Sequence, residues 1–276
     1  MLRRAKPLLG TLVEVACEGA DRAGELAASQ AAFDAVERVH QLMSRHEPGS
    51  ELSTINALAP GIWAQAATET MAVFDFARRL SEQSSGVFDV FAAHSDSVQG
   101  GGWRDLEIDP SQQRLRKHAV MQADLGGIAK GYAVDAAVNA LLAAGAGSGW
   151  VNAGGDLRVF GPFALPLEVR APWNPGHTIT CTMLCNQAAA TSASYWLATP
   201  VLRHGLTRKT IDLQASWTVC APVCMAADAL TKLVAATGDA LHPVLALHQA
   251  RAWVYAGAGD HGAEPSQPAA QRRHLT

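Results

Sequence analysis

Two glycine pairs, each followed by an ionisable side chain, are the residues in this sequence best suited to bind an anion. The first pair is Gly126–Gly127, in the segment DLGGIAKGYAVD (residues 124–135), directly before a predicted helix. Glycines let backbone N–H groups at a helix N-terminus approach a phosphate closely. Lys130 falls in the first helical turn, where a cation opposes the helix dipole, so we expect a compensating anionic ligand. The spacing is neither G-x-G-x-x-G nor that of a P-loop, and a tight turn with a solvated lysine remains an equal alternative.

The second pair, Gly154–Gly155, ends a predicted strand and precedes Asp156. It predicts a turn that brings the backbone close to a neighbouring group, although a plain hairpin turn accounts for it equally well. Asp228 falls near the start of another predicted helix, where a carboxylate suits the helix dipole. A carboxylate there could also hold Mg²⁺ against substrate phosphates.

The composition indicates a globular protein and argues against nucleic-acid binding and a membrane span. The 276 residues are 49% hydrophobic and 17% charged, which is typical of a globular enzyme. A net charge of -3 and a pI near 6.4 provide no positive field for nucleic acid. No apolar run is long enough for a membrane span, and Pro7, Gly10 and Thr11 interrupt the apolar start that a signal peptide would need. We therefore predict a cytoplasmic protein.

The five cysteines raise a separate metal hypothesis. They include two C-x3-C pairs, Cys181/Cys185 and Cys220/Cys224, and four thiolates could hold zinc. However, zinc sites usually have C-x2-C spacing, and both pairs fall in apolar, strand-like runs. Buried, inert thiols are the favoured interpretation.

The surrounding pattern predicts the elements that position these residues. Apolar positions at helical spacing predict helices at residues 23–45, 68–84, 128–144 and 225–237. Strands are predicted at 11–17, in a hairpin over 105–117, in many short runs between 150 and 223, and at 253–257, with a loop over 94–104. This pattern predicts one α+β domain, with mixed or antiparallel sheets packed against helices, over residues 1–257 and a flexible C-terminal tail over 258–276.

The glycine-rich segments occur together with others in an order that resembles the ApbE family, the FAD:protein FMN transferases. The resemblance covers nearly the whole chain. The matching stretches are LLGTLVEV (8–15), MSRHEPGSELSTIN (43–56), SGVFDV (85–90), DLGGIAKGYAVD (124–135), WVNAGGDLRVFG (150–161), APVCMAADAL (221–230) and, more weakly, AATSASY (189–195).

The resemblance implies a T-fold-like α+β fold and a bound FAD whose pyrophosphate meets Mg²⁺. It also implies transfer of FMN from FAD to a Thr or Ser hydroxyl of a transient partner, an acceptor flavoprotein, with release of AMP. By position, the FAD-contacting residues would be Met43, Asp124, Lys130, Asp156 and Ile211. The metal ligands would be the Gly127 carbonyl, Asp228 and Thr231, and Asp228 would also be catalytic.

Three departures from the family pattern leave alternatives open. Lys232 stands where the family usually has a threonine, four residues after the metal-binding Asp, and Thr231 comes one residue earlier. One residue rotates a helical side chain by about 100°, so the Lys232 ammonium could lie where the cation would sit. The family's S-H-x-I-D-P-x-T-G segment reads RKTIDLQAS (208–216), and the segment after the SGVFDV motif is shortened. The alternatives to FMN transfer are a non-catalytic FAD-binding protein and an FAD pyrophosphatase giving FMN and AMP.

Overall fold

The computed structural model describes residues 1–92, 100–193, 202–211 and 215–256. The predicted tail over 258–276 lies outside the described residues. The predicted loop over 94–104 and the RKTIDLQAS segment lie partly outside them.

Along the chain, helices separate groups of consecutive strands. The strands are β1 (Leu2–Leu8), β2 (Thr11–Glu18), β3 (Ala64–Gln65), β4 (Leu106–Asp109), β5 (Arg114–Lys117), β6 (Ser148–Ala153), β7 (Asp156–Phe160), β8 (Ala164–Ala171), β9 (Asn174–Cys185), β10 (Ala188–Ala193), β11 (Ala215–Ala221) and β12 (Arg251–Ala256). The helices are α1 (Arg22–Met43), α2 (Glu51–Ala57), α3 (Thr68–Gln83), α4 (Ala129–Ala143), α5 (Cys224–Thr237) and α6 (Val244–Leu247).

A seven-stranded sheet in the order β1-β2-β6-β7-β10-β11-β12 forms the centre of the fold, and each neighbouring pair is antiparallel. Alternate residues of its strands point to opposite faces. On one face α4 packs between α1 and α5, and α5 lies on β10 and β11. The opposite face is covered by the β8–β9 hairpin, which buries Leu167, Val169 and Leu184. The predicted α+β class with antiparallel sheets is confirmed.

The four predicted long helices are confirmed to within two residues at each end. Four elements, β1, β3, α2 and α6, were not predicted. Strand β3 and helix α6 span only two and four residues. Strand β1 contains basic residues that hide its alternation, and α2 spans seven residues, too few for a periodic pattern. Ser50 nevertheless caps α2 by accepting a hydrogen bond from the Ser53 N–H at 3.0 Å.

The predicted hairpin over 105–117 is also confirmed. Strands β4 and β5 pair antiparallel around a 3₁₀ turn at Pro110–Gln112, and β3 joins them in a small three-stranded sheet. Among the described residues, no helix has both the length and the apolar character needed to cross a membrane.

Candidate functional site

Helices α4 and α5 touch backbone to backbone at Gly131. A Cβ atom added there would lie 2.3 Å from the Cys224 carbonyl oxygen and 2.8 Å from the Asp228 Cβ. The Gly131 N–H donates to Asp228 Oδ2 at 3.0 Å, and Asp228 is fully buried. The glycine therefore allows a carboxylate from α5 to reach the first turn of α4.

Asp135 of α4 fixes the start of α5. Its carboxylate accepts hydrogen bonds from the Cys224 N–H at 2.9 Å and the Met225 N–H at 2.8 Å. Arg158 of β7 donates to the same carboxylate at 2.7 Å. Because the preceding residue, Val223, has no polar side chain, Asp135 serves as a cap supplied by another helix. This contact sets the position of Asp228, one turn further along.

Lys130 forms an ion pair with Asp156, with 2.6 Å between Lys130 Nζ and Asp156 Oδ2. Asp156 is 1% exposed and follows a tight turn in which Gly154 and Gly155 both have positive φ angles, 62° and 101°. The second glycine pair is therefore a hairpin turn that also delivers a buried carboxylate. The anion expected opposite Lys130 is, in this structure, supplied by the protein itself.

The charges of this pair are coupled to those of Asp228. Burial and the Asp228 carboxylate raise the pKa of Asp156 to about 6, against the attraction of Lys130 and Lys232. Burial would lower the pKa of Lys130, but Asp156 and Asp228 outweigh it and raise that pKa. Burial would raise the pKa of Asp228, but the ammonium groups of Lys232 and Lys130 lower it. Two carboxylates and two ammonium groups thus form one charge cluster.

Lys232 places its ammonium at the residues that the family resemblance assigns to a metal. Its Nζ lies 2.6 Å from Asp228 Oδ1, 3.0 Å from Thr231 Oγ1 and 2.9 Å from Ser192 Oγ of β10. The stem of Lys232 lies against Gly127, where an added Cβ would be 3.2 Å from Lys232 Cγ. The Asp228 and Thr231 oxygens that were expected to bind Mg²⁺ thus bind an ammonium group, and a divalent ion does not fit beside it.

Asp124 connects this site to the end of α1. Its Oδ1 accepts from the Gly126 N–H at 2.8 Å, and its Oδ2 pairs with Arg45 Nη1 at 2.7 Å. An open cleft of about 440 Å³ adjoins this pair, with Asn56, Gln122 and Ala123 among its lining residues. The backbone N–H groups of Gly126 and Gly131, part of the predicted anion cradle, are therefore already bonded to carboxylates.

The described contacts join Lys130, Asp156, Asp228, Thr231 and Gly127 around Lys232, but they do not join Met43 or Ile211 to this cluster. Met43 ends α1 and packs in the hydrophobic core. Ile211 is partly buried, and its N–H donates to the Leu202 carbonyl at 2.8 Å.

Sequence reasoning missed three participants, Ser192, Asp135 and Arg158. Ser192 lies in the weakly matching AATSASY stretch, so a signal was present. Asp135 ends the DLGGIAKGYAVD motif, but nothing in the sequence indicates that it caps a helix 89 residues away.

A further charged pair joins Asp89, which belongs to the SGVFDV motif, to Arg208. Asp89 Oδ2 and Arg208 Nη2 are 3.4 Å apart, and both side chains are almost fully buried. Burial raises the pKa of Asp89, while the N–H groups of Phe91 and Trp103 and the Arg208 guanidinium act in the opposite direction. Arg208 is the first residue of the RKTIDLQAS segment, and its ion pair therefore connects that segment to the SGVFDV motif.

The cysteines do not converge. All five thiols are free, and the described residues include no group of three or more His, Cys, Asp or Glu side chains placed to hold a metal ion. Burial raises the pKa of Cys220 to about 12 and also raises that of Cys224, which suits inert thiols.

The comparisons with known proteins match this architecture. The family model described as the ApbE family matches residues 9–253. The chain belongs to the ApbE family. Comparison by sequence with curated proteins gave no match.

Solved structures of ApbE proteins share the fold. The ApbE protein of Thermotoga maritima superimposes with a TM-score of 0.81 at 22% identity, covering 96% of this chain and 97% of that one. The flavin transferase ApbE of Vibrio cholerae gives 0.74 at 21% identity, covering 93% and 97%. The Pseudomonas stutzeri flavinyl transferase ApbE, in its apo form, gives 0.76 at 20% identity, covering 92% and 91%.

Proposed function

We propose that this protein is an FAD:protein FMN transferase that moves FMN from FAD to a Thr or Ser hydroxyl of an acceptor flavoprotein. Family membership supports the proposal, as do the flavin transferases among the structurally similar proteins. The observation that carries it is the pair of ammonium groups, Lys130 and Lys232, held at the start of α4 by Asp156 and Asp228. Two fixed positive charges beside a helix N-terminus suit the pyrophosphate of a dinucleotide.

In the proposed reaction the acceptor oxygen attacks the phosphorus on the FMN side of the FAD pyrophosphate. A new P–O bond forms to the acceptor, the bond to the bridging oxygen breaks, AMP leaves with that oxygen, and the hydroxyl proton passes to solvent. Lys130 and Lys232 stabilise the negative charge on the pyrophosphate and the leaving AMP. Asp228 and Asp156 act through these lysines as positioning residues.

No step of this reaction is assigned to Mg²⁺. The oxygens of Asp228 and Thr231 already surround the Lys232 ammonium, so the arrangement does not fit a divalent ion. Asp124, Met43 and Ile211 remain predicted FAD contacts, of which Asp124 is best supported because it pairs with Arg45, a residue that lines the open cleft. Gly127 is assigned the role of making room for the Lys232 stem.

We further propose that residues 1–257 form a single domain and that the protein acts in the cytoplasm. Continuous packing of the helices and the β8–β9 hairpin on one central sheet supports the first proposal. Five free cysteines support the second, because secreted proteins commonly pair theirs.

The test is incubation of the purified protein with FAD and an acceptor flavoprotein, followed by mass spectrometry of the acceptor and chromatography of the nucleotides. We expect the acceptor to gain the mass of a phosphoester-linked FMN, with an equal amount of AMP released. A variant acceptor lacking the target hydroxyl is the control. AMP and free FMN without a modified acceptor would indicate a pyrophosphatase, and bound FAD without AMP would indicate a binding protein. Either result would contradict the proposal.

A further inference from the structure

The Lys232 ammonium lies within 3.0 Å of three side-chain oxygens that belong to two elements. These are Asp228 Oδ1 and Thr231 Oγ1 of α5 and Ser192 Oγ of β10. An ammonium group has three N–H donors, so each oxygen can accept one. Carboxylate and hydroxyl oxygens are also the ligands that hard divalent cations prefer. The lysine thus places a covalently attached positive charge at a cation-type site.

The oxygens that bind the Lys232 ammonium are themselves fixed by hydrogen bonds within the protein. The other oxygen of Asp228 is bonded to the Gly131 N–H, so the carboxylate cannot rotate freely. The Ser192 and Thr231 hydroxyls are 2.7 Å apart and bond to each other. Behind the ammonium, Lys232 Cγ and Cε would lie 3.2 and 3.3 Å from a Cβ at Gly127, so the glycine gives the Lys232 stem room on this side.

The same geometry excludes a second cation. A divalent ion bound to Asp228 Oδ1 would lie within a few ångströms of the Lys232 ammonium, where like charges repel strongly in a buried setting. The Lys232 side chain is 18% exposed, so it is not sealed from the solvent. A nucleotide phosphate can approach from the solvent.

We propose that Lys232 takes the place of the divalent cation in this site, so that the protein binds FAD and turns it over without a metal. The inference rests on the proposed function insofar as FAD is the ligand. The filling of the cation site by Lys232 is tested separately.

The first experiment uses Mn²⁺ as the probe and does not depend on flavin. Free Mn²⁺ is measured by electron paramagnetic resonance during titration of the wild-type protein and of Lys232→Ala, Lys232→Met and Lys6→Met. We expect no stoichiometric site in the wild type or in Lys6→Met, the control that removes a lysine on β1. Lys232→Ala should gain one site because its oxygens are uncovered, whereas Lys232→Met should not, because its side chain still fills the space.

The second experiment measures FAD binding by fluorescence in excess EDTA and in millimolar Mg²⁺. The wild-type Kd should agree within about twofold in the two conditions. For Lys232→Ala the Kd in EDTA should rise at least about tenfold, through loss of a charged contact, and should recover with Mg²⁺. For Lys232→Met it should rise and not recover.

Three results would overturn the proposal: one Mn²⁺ bound per wild-type chain, loss of wild-type FAD binding in EDTA, or no Mn²⁺ site in folded Lys232→Ala. If the Lys232 variants do not fold, the two wild-type measurements still decide. Absence of FAD binding under both conditions would instead refute the proposed function, and the Mn²⁺ titration would remain valid.

Discussion

Gly131 of α4 lies against the Cys224 backbone at the start of α5, so closely that a Cβ at position 131 would be 2.3 Å from the Cys224 carbonyl oxygen. The obstacle is backbone, which cannot rotate away as a flexible side chain would. The packing of α4 on α5, and with it the approach of Asp228 to α4, therefore depends on a single missing methyl group.

Gly131→Ala should accordingly destabilise the protein. Overpacking a core typically costs about 1–3 kcal/mol, and we expect the upper end because the backbone must move. Urea denaturation would measure the change in the free energy of unfolding. Gly49→Ala is the matched control, since an added Cβ meets nothing within 4 Å there, and it should change stability by no more than about 0.5 kcal/mol. Equal stability of the two variants would contradict the close contact.

Replacement of Asp135 should loosen the start of α5. Asp135→Ala removes the acceptor for two backbone N–H groups and leaves Arg158 without this carboxylate, so we expect a loss of about 1–2 kcal/mol or more in unfolding free energy. Asp135→Asn keeps one acceptor oxygen and should lose less. Hydrogen exchange of the Cys224 and Met225 amides, followed by mass spectrometry, should accelerate more in the alanine variant. Unchanged exchange would show that Asp135 does not cap the helix.

We expect a measurable coupling energy between Lys130 and Asp156, because the two side chains form an ion pair. Lys130→Met leaves the Asp156 carboxylate buried beside Asp228, whereas the double variant with Asp156→Asn removes both charges. We therefore expect the double variant to be more stable than the sum of the single effects predicts, by about 0.5–3 kcal/mol. A double-mutant cycle in urea would measure this. Additive effects would show that the pair contributes no coupling.

The contribution of Lys117 to the free energy of unfolding should increase as the pH rises in alkaline solution. Lys117 is 4% exposed, and its ammonium donates to the Asn56 and Met121 carbonyls at 2.8 and 3.1 Å. Burial lowers the pKa of Lys117 from 10.5, so the unfolded chain binds more protons than the folded one just below that pH. Stability contributed by this group therefore rises as the pH approaches 10.5.

The measurement is urea denaturation of the wild type and of Lys117→Met over this alkaline range. As the pH rises, the unfolding free energy of the wild type should increase relative to that of Lys117→Met. A difference that does not change with pH would contradict a depressed pKa. Lys6→Met, which removes a lysine that is not deeply buried, is the control for loss of one lysine.

The long helices and the central strands follow from local patterns in the sequence. Helices α1, α3, α4 and α5 carry apolar residues at helical spacing over 14 residues or more, which is long enough for a periodic signal. Helix α2 and strand β1 were missed because one is short and the other alternates with basic residues. Sheet order depends on contacts between strands far apart in sequence, such as β2 with β6, and a single sequence does not encode that order in any local pattern.

The sequence by itself determined the family, the glycine segments and the unusual lysine at position 232. Only the tertiary structure decided what those residues do. It placed Asp156 against Lys130, so a cation that suggested a missing ligand has a protein partner. It also brought Ser192 from β10 to the Lys232 ammonium, 40 residues away in the chain. Charge pairing of this kind depends on distances across packed elements, and spacing along one strand or helix does not contain those distances.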